Sequence, residues 1–185
     1  ITGALKIVNI DPNFIDKILQ IMSKIKNEIN QTLSNFEIFQ LFKDNKRLLL
    51  YLIEESILNF DQAFLDRINE NKYWDEQYIK YFLPEARPFI SNKLYEEIQE
   101  GLNFEQIDIE SFKKFRKIGE NHHYICELIR NDSIDEFIVY MNKTNASFLS
   151  TIMGSVFETN LFLMNKNASL IEYSAFFGSI QIFKY

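Results

Sequence analysis

Large apolar residues recur along this chain at intervals of three and four, and no segment sustains an interval of two. Phe14, Ile18, Met22, Ile25 and Ile29 form one such stripe, with Lys17, Lys24, Lys26 and Glu28 largely off it. That spacing follows the turn of an α-helix, whereas a half-buried strand would alternate. The chain is therefore predicted to be all-α. Only 5 glycines and 3 prolines stand against 18 phenylalanines and 9 tyrosines. Few turn formers and many bulky apolar side chains predict helices joined by short connections.

Capping signals divide the pattern. Asp11-Pro12 predicts the start of the first helix, since Asp is a good N-cap and Pro suits the first helical position. A second helix is expected after Asn35, with Phe36, Phe39 and Phe42 facing inward. Asp44 is the expected cap of the next. There Leu48, Leu49, Leu52, Ile53 and Ile57 make an apolar face too wide for a surface helix, which predicts a central one. Asp61 is expected to cap a helix through Phe64, Leu65 and Ile68. Another runs from Trp74 to Leu83 and ends at Pro84. Pro88 opens the next, and Gly101 closes it as a C-terminal cap. The stretch from Gly101 to Ile109 is the expected linker, giving a helical region over 1–104 and a second region over 105–185.

From Ser111 the pattern shortens to paired helices, over 111–118 and 121–130. Ser133-Ile134-Asp135-Glu136 has the spacing of a capping box, opening a helix that carries Phe137, Ile138, Tyr140 and Met141. The uncharged run from Thr144 to Phe157 is too short for a membrane span, which needs about 18–20 apolar residues. It reads as a loop or a short helix. Phe157 to Met164 is expected to be helical, and the chain ends in a helix pair hinged at Gly178.

Bulk composition narrows the function classes. The hydrophobic fraction is 46% and the charged fraction 25%, as in an ordinary globular protein rather than a disordered one. The net charge is −6, opposite in sign to the broad positive footprint of a nucleic-acid binder. Cys126 is the single cysteine, so no intramolecular disulfide can form. With no visible signal peptide, that predicts a cytoplasmic protein. Sequons at Asn30, Asn131, Asn142, Asn145 and Asn167 are read as chance in an asparagine-rich chain.

Chemical motifs are sparse. His122, His123 and Cys126 form H-H-x-x-C, and His123 and Cys126 share a helix face at a spacing that can hold zinc. No second cysteine or further histidine exists to close a structural site. A Cys–His nucleophilic pair would need an orienting acid and an oxyanion hole that the sequence does not offer. The preferred reading is a helix with one buried cysteine and partly exposed histidines. Lys113, Lys114, Arg116 and Lys117, interleaved with Phe112 and Phe115, are either a solvated face above inward phenylalanines or a contact to an acidic protein partner. Glu54-Glu55, Glu96-Glu97 and Asp135-Glu136 are adjacent on helices, so their carboxylates diverge instead of converging on a pocket. Tyr73-Trp74 with Tyr78 and Tyr81 is a core or inter-helix anchor, with a binding contact as the alternative. No phosphate-cradling glycine loop is present, so no cofactor is expected.

Residues Ser169 to Tyr185 read SLIEYSAFFGSIQIFKY. This resembles the helix-turn-helix part of an ankyrin repeat. Ser169 stands where the family has Thr and can cap the first helix. Ile171 stands at the inward Leu, Ser174 and Ala175 at the small pair, Gly178 at the turn, and Ile182 on the second helix. Leu170 and Glu172 depart from the family's Pro and His. An earlier echo, HYICELIRNDSIDEFIVYM over 123–141, places Asp132 at the Gly178 position. Its offset exceeds the 33 residues of a standard repeat, which requires an insertion. FQLFKDNKRLLLYLIEE (39–55) and YFLPEARPFI (81–90) extend the resemblance to a protist family of ankyrin-repeat proteins.

The resemblance implies stacked antiparallel helix pairs, an α-solenoid in which a helical cap leads into ankyrin-type repeats. It implies a non-catalytic scaffold that binds other proteins, with no nucleic acid and no membrane span. The alternative is a structural subunit of a large cytoskeletal assembly. The start at Ile1 and the stop at Tyr185 inside the second repeat helix predict a portion of a longer chain.

Overall fold

The computed structural model describes residues 15–70, 75–102, 108–165 and 167–185. Among these the chain is all-α, with 14 α-helices, one 3-10 turn and a single isolated β-bridge. No described helix is long and apolar enough to cross a membrane. The helices form two compact units that divide between Gly119 and Glu120, later than the boundary near 104 expected from the sequence. Asp11-Pro12, Phe14, Tyr73, Trp74 and the centre of the expected linker lie outside the described residues.

The first unit contains α1 (Ile15–Lys24), α2 (Lys26–Thr32), α3 (Asn35–Phe42), α4 (Lys46–Glu54) and α5 (Gln62–Glu70). It continues through α6 (Asp75–Tyr81), α7 (Leu83–Ala86), α8 (Asn92–Gly101) and α9 (Ile109–Ile118). α4 is central, as its wide apolar face predicts. Leu48, Leu49, Leu50 and Leu52 are all buried, and α1, α3 and α9 pack on it. Each such leucine stabilises the unit by about 1.5–3 kcal/mol. The cap is Asn45 rather than Asp44: the Leu48 N–H donates to Asn45 Oδ1 at 2.9 Å. The capping residue is itself buried, where a neutral amide costs less to desolvate than a carboxylate would.

Several boundaries differ from expectation for local reasons. The first stripe breaks at Ile25, which separates α1 from α2 and is partly exposed, while Met22 and Ile29 are buried. α3 is set by a Ser34–Glu37 capping box. Its core face is Ile38, Phe39 and Phe42, from which Phe36 is rotated away. Phe36 is 49% exposed, with the Arg67 guanidinium 4.9 Å above its ring. Pro84 sits in the first turn of α7 instead of ending a helix, which suits its fixed φ and missing N–H. Pro88 lies in the 3-10 turn over Arg87–Phe89, and Ser91 caps α8. Gly101 is the last residue of α8, with Leu102 as its C-cap. Asp61 caps α5 as expected, accepting from the Phe64 N–H at 2.7 Å.

The second unit contains α10 (Tyr124–Arg130), α11 (Ile134–Thr144), α12 (Leu161–Asn165), α13 (Leu170–Phe177) and α14 (Ile180–Lys184). α10 and α11 form one helix-turn-helix, α13 and α14 another, and α10 packs on α13. Ile125, Ile129, Phe137, Met141, Leu170, Tyr173 and Ile182 build the shared core. Between the pairs the chain runs irregularly from Asn145 to Asn160 and then through α12. This stretch and α12 separate the two helix pairs along the chain. The irregular run is tied back by an isolated antiparallel bridge, Thr151 to Ser169. There the Ile152 N–H donates to Ala168 O at 2.9 Å and the Leu170 N–H to Ser150 O at 3.0 Å.

Candidate functional site

The basic run lies on α9. Asp108 caps this helix, accepting from the Glu110 and Ser111 N–H groups at 2.9 Å each. The Ser111 hydrogen bonds hold the Asp108 carboxyl below its usual range. Phe112 is buried, and one turn later Arg116 points the same way. Lys113, Lys114 and Lys117 consequently face out.

Arg116 turns inward, away from the exposed face of α9. It is 4% exposed, and its guanidinium forks onto the Glu85 carboxylate at 2.6 and 3.0 Å. One arm also donates to Tyr81 O at 2.9 Å, and the Tyr81 hydroxyl donates back to Arg116 O at 2.7 Å. Burial pushes the Tyr81 phenol far up, so it remains a donor. These bonds join α9 to α6 and α7, and the buried Lys46 ammonium stands 5.0 Å over the Tyr81 ring.

Beside α9 an open groove of ≈ 690 Å³ is lined by five cations, Arg47, Lys113, Lys114, Arg116 and Lys117, and by three carboxylates, Glu54, Glu85 and Glu110. Pro84 and Ile118 add apolar wall. The groove thus carries a positive surplus in a chain whose net charge is −6. Lys113 pairs with Glu110 at 2.9 Å and Lys117 with Glu54 at 3.3 Å, all four side chains well exposed. Lys114 is exposed and makes no ion pair among the described residues. Of the tyrosine cluster, Tyr78 and Tyr81 are buried, which fits a core anchor.

His122, His123 and Cys126 open the second unit. The His122 and His123 rings lie 4.4 Å apart, and the His122 ring meets Phe157 edge-on at 4.9 Å. His122 Nδ1 lies 2.9 Å from Ser155 Oγ. Burial, reinforced by the charges of His123 and Arg130, lowers the His122 pKa to about 4, so the ring is neutral at physiological pH. Cys126 is fully buried, and burial pushes its thiol up to about 12. That is the opposite of an activated nucleophile, which needs thiolate at neutral pH. No group of three or more His, Cys, Asp or Glu gathers among the described residues. Around them lies a structural polar network. Arg130 donates to Asn121 O at 2.7 Å and to the Tyr173 hydroxyl at 3.0 Å, and pairs with Glu120 at 2.8 Å. Buried Glu158 accepts from the Asn121 and Asn160 N–H groups.

The two helix pairs match turn for turn. Asp132 has φ +50° and Gly178, 46 positions later, has φ +68°. The Asp132 N–H donates to Ile129 O and the Gly178 N–H to Ala175 O. At the same offset, Ser133 donates to Leu128 O and Ser179 to Ser174 O, both at 3.0 Å. Phe137 to Ser133 O and Phe183 to Ser179 O continue the correspondence. The turns also bond to each other. The Asp132 carboxylate accepts from the Gln181 and Ile182 N–H groups, and the Ser179 hydroxyl donates to Ile129 O.

Ser169 caps α13 as expected, and Glu172 completes the capping box by accepting from the Ser169 N–H at 2.8 Å. Ser174 and Ile182 are fully buried. Ile171 is only half-buried and Ala175 is exposed, because the inward face of α13 is centred on Leu170, Tyr173 and Ser174. The Ser133–Glu136 box does not form: Ser133 makes no side-chain cap. Glu85 and Arg47 were missed as groove residues, because they come from helices remote in sequence and carry no local signal.

No family model, no curated protein and no solved structure matches this chain.

Proposed function

We propose that this chain is a non-catalytic protein–protein interaction module of the ankyrin-repeat kind. The reading rests on the two matching helix-turn-helix pairs of the second unit, locked turn to turn by Asp132 and Ser179. Arrays of such pairs hold side chains on a rigid backbone and bind through a face, without a pocket. Val139 and Tyr185 occupy the same position in the two pairs and are 65% and 58% exposed. Tyr124 is also exposed, with its ring 6.1 Å from that of Tyr140. Exposed aromatic and aliphatic side chains on a rigid frame are typical anchors of protein recognition.

The test is affinity capture from extracts of the source cells, with the full chain as bait beside a Tyr124→Ala, Val139→Glu double variant. Both substitutions fall on exposed positions, and circular dichroism verifies the fold. Retention of a defined set of proteins by the native chain, lost with the variant, supports the reading. Identical retention by both baits, or none by either, overturns it for this face.

A further inference from the structure

We propose that the groove beside α9 binds an acidic peptide segment carrying an apolar anchor residue. The inference rests on the interaction-module reading but concerns a different surface, in the first unit. Three observations carry it. The groove gathers five cations against three carboxylates, so an anion gains there what the rest of a −6 chain denies it. Its exposed cations are available. Lys114 holds no ion pair among the described residues, and the Lys113–Glu110 and Lys117–Glu54 pairs are solvent-exposed, so they are cheap to exchange for carboxylates of a ligand. Its frame is tied together: the buried Arg116–Glu85 fork joins α9 to α7, and the helix itself sets Lys113 and Lys117 one turn apart.

The same features select the ligand class. Glu54, Glu85 and Glu110 interrupt the positive field, which repels a uniform phosphate backbone but tolerates carboxylates spaced along a peptide. Pro84 and the 38%-exposed Ile118 give an apolar residue of that peptide a wall to cover.

The experiment is fluorescence anisotropy of the full chain with a short labelled peptide of alternating glutamate and leucine, its glutamine counterpart, and a single-stranded oligonucleotide of similar length. The expected result is saturable binding of the acidic peptide that weakens as salt rises and falls at least tenfold in a Lys114→Glu, Lys117→Glu variant with unchanged circular dichroism. A milder Lys114→Gln, Lys117→Gln variant gives an intermediate loss. No binding of the acidic peptide, equal binding of its glutamine counterpart, tighter binding of the oligonucleotide, or full binding by the charge-reversed variant each overturns the proposal. Any of these results alongside capture that depends on Tyr124 and Val139 would remove the groove and leave the module reading standing.

Discussion

The Asp132 carboxylate accepts the Ile182 N–H at 3.0 Å across fifty positions of chain, and so caps a helix to which it does not belong. Ser179, the local N-cap of α14, makes no side-chain cap because its hydroxyl turns back to Ile129 O. Asp132 thereby satisfies orphan N–H groups of α14, while Ser179 adds a second donor to a carbonyl that the Asp132 N–H already reaches. Asp132 also holds a left-handed backbone, which aspartate tolerates better than most residues.

Replacing Asp132 by Ala removes the cap and puts at positive φ a residue that tolerates it less well than aspartate, so both effects destabilise. The thermal midpoint should fall by about 5 °C. Asp132→Gly relieves the backbone while losing the cap, and should fall less. For Asp132, partial burial opposes ionisation, but the Ile182 and Gln181 N–H groups outweigh it and hold the carboxyl below its usual range. A depressed carboxylate stabilises above its unfolded pKa of 3.8, and that contribution is lost as pH falls through the lower folded value. Thermal melts of native protein and Asp132→Asn at pH 7 and pH 3 check the sign: the native chain should lose more of its advantage in acid.

Arg116 and Glu85 should behave as a buried pair. Glu85→Gln leaves a guanidinium in the core with half its partners, and should cost about 3 kcal/mol. Arg116→Met should cost a similar amount, chiefly by leaving the part-buried Glu85 carboxylate without its cation. The double variant Glu85→Leu, Arg116→Met buries no charge and should recover most of the loss. Urea midpoints measure all three, and additive losses in the double variant would contradict the pairing.

Helix existence was legible over most of the described residues, because three-and-four spacing survives most details of packing. The centrality of α4 followed from the width of its leucine face, and the pairing of the Gly178 turn with Asp132 came from laying both segments on the repeat pattern they resemble. Caps were legible only where one candidate stood alone, as at Asp61 and Ser169. Where two competed, as Asp44 and Asn45, burial chose the neutral one. The basic run was visible as charge, but the inward turn of Arg116 depends on Glu85, 31 residues away on another helix. A one-dimensional pattern cannot hold that partner, nor the groove it helps to build.

Cys126 provides a chemical check of the second unit. With its thiol pushed up to about 12 by burial, the native protein should react with iodoacetamide only as fast as the unit opens. Alkylation followed by mass spectrometry should accelerate steeply in urea and coincide with unfolding. Rapid labelling of the native chain would show an accessible thiolate and reopen the Cys–His nucleophile.

His122 should couple stability to pH. Its folded pKa, about 4, lies below the ordinary 6.5. Between those values the unfolded chain binds a proton that the folded chain refuses, so stability falls as pH drops through this window and levels off below it. His122→Gln keeps a polar side chain near Ser155 and removes the titration. Urea midpoints at pH 7 and pH 4.5 should converge in the variant relative to the native chain.

Gly178 and Gly154 separate backbone strain from packing. A Cβ at either position meets nothing within 4 Å, so neither substitution creates a clash. Only Gly178 sits at φ +68°, a conformation that costs a residue with a Cβ about 1–2 kcal/mol. Gly178→Ala should therefore destabilise by that amount, and Gly178→Asn by less. Gly154→Ala should be neutral or raise stability by up to about 1 kcal/mol through the unfolded chain. Equal effects at the two positions would mean that the Gly178 turn is not held in the left-handed region, and the correspondence with Asp132 would fall with it.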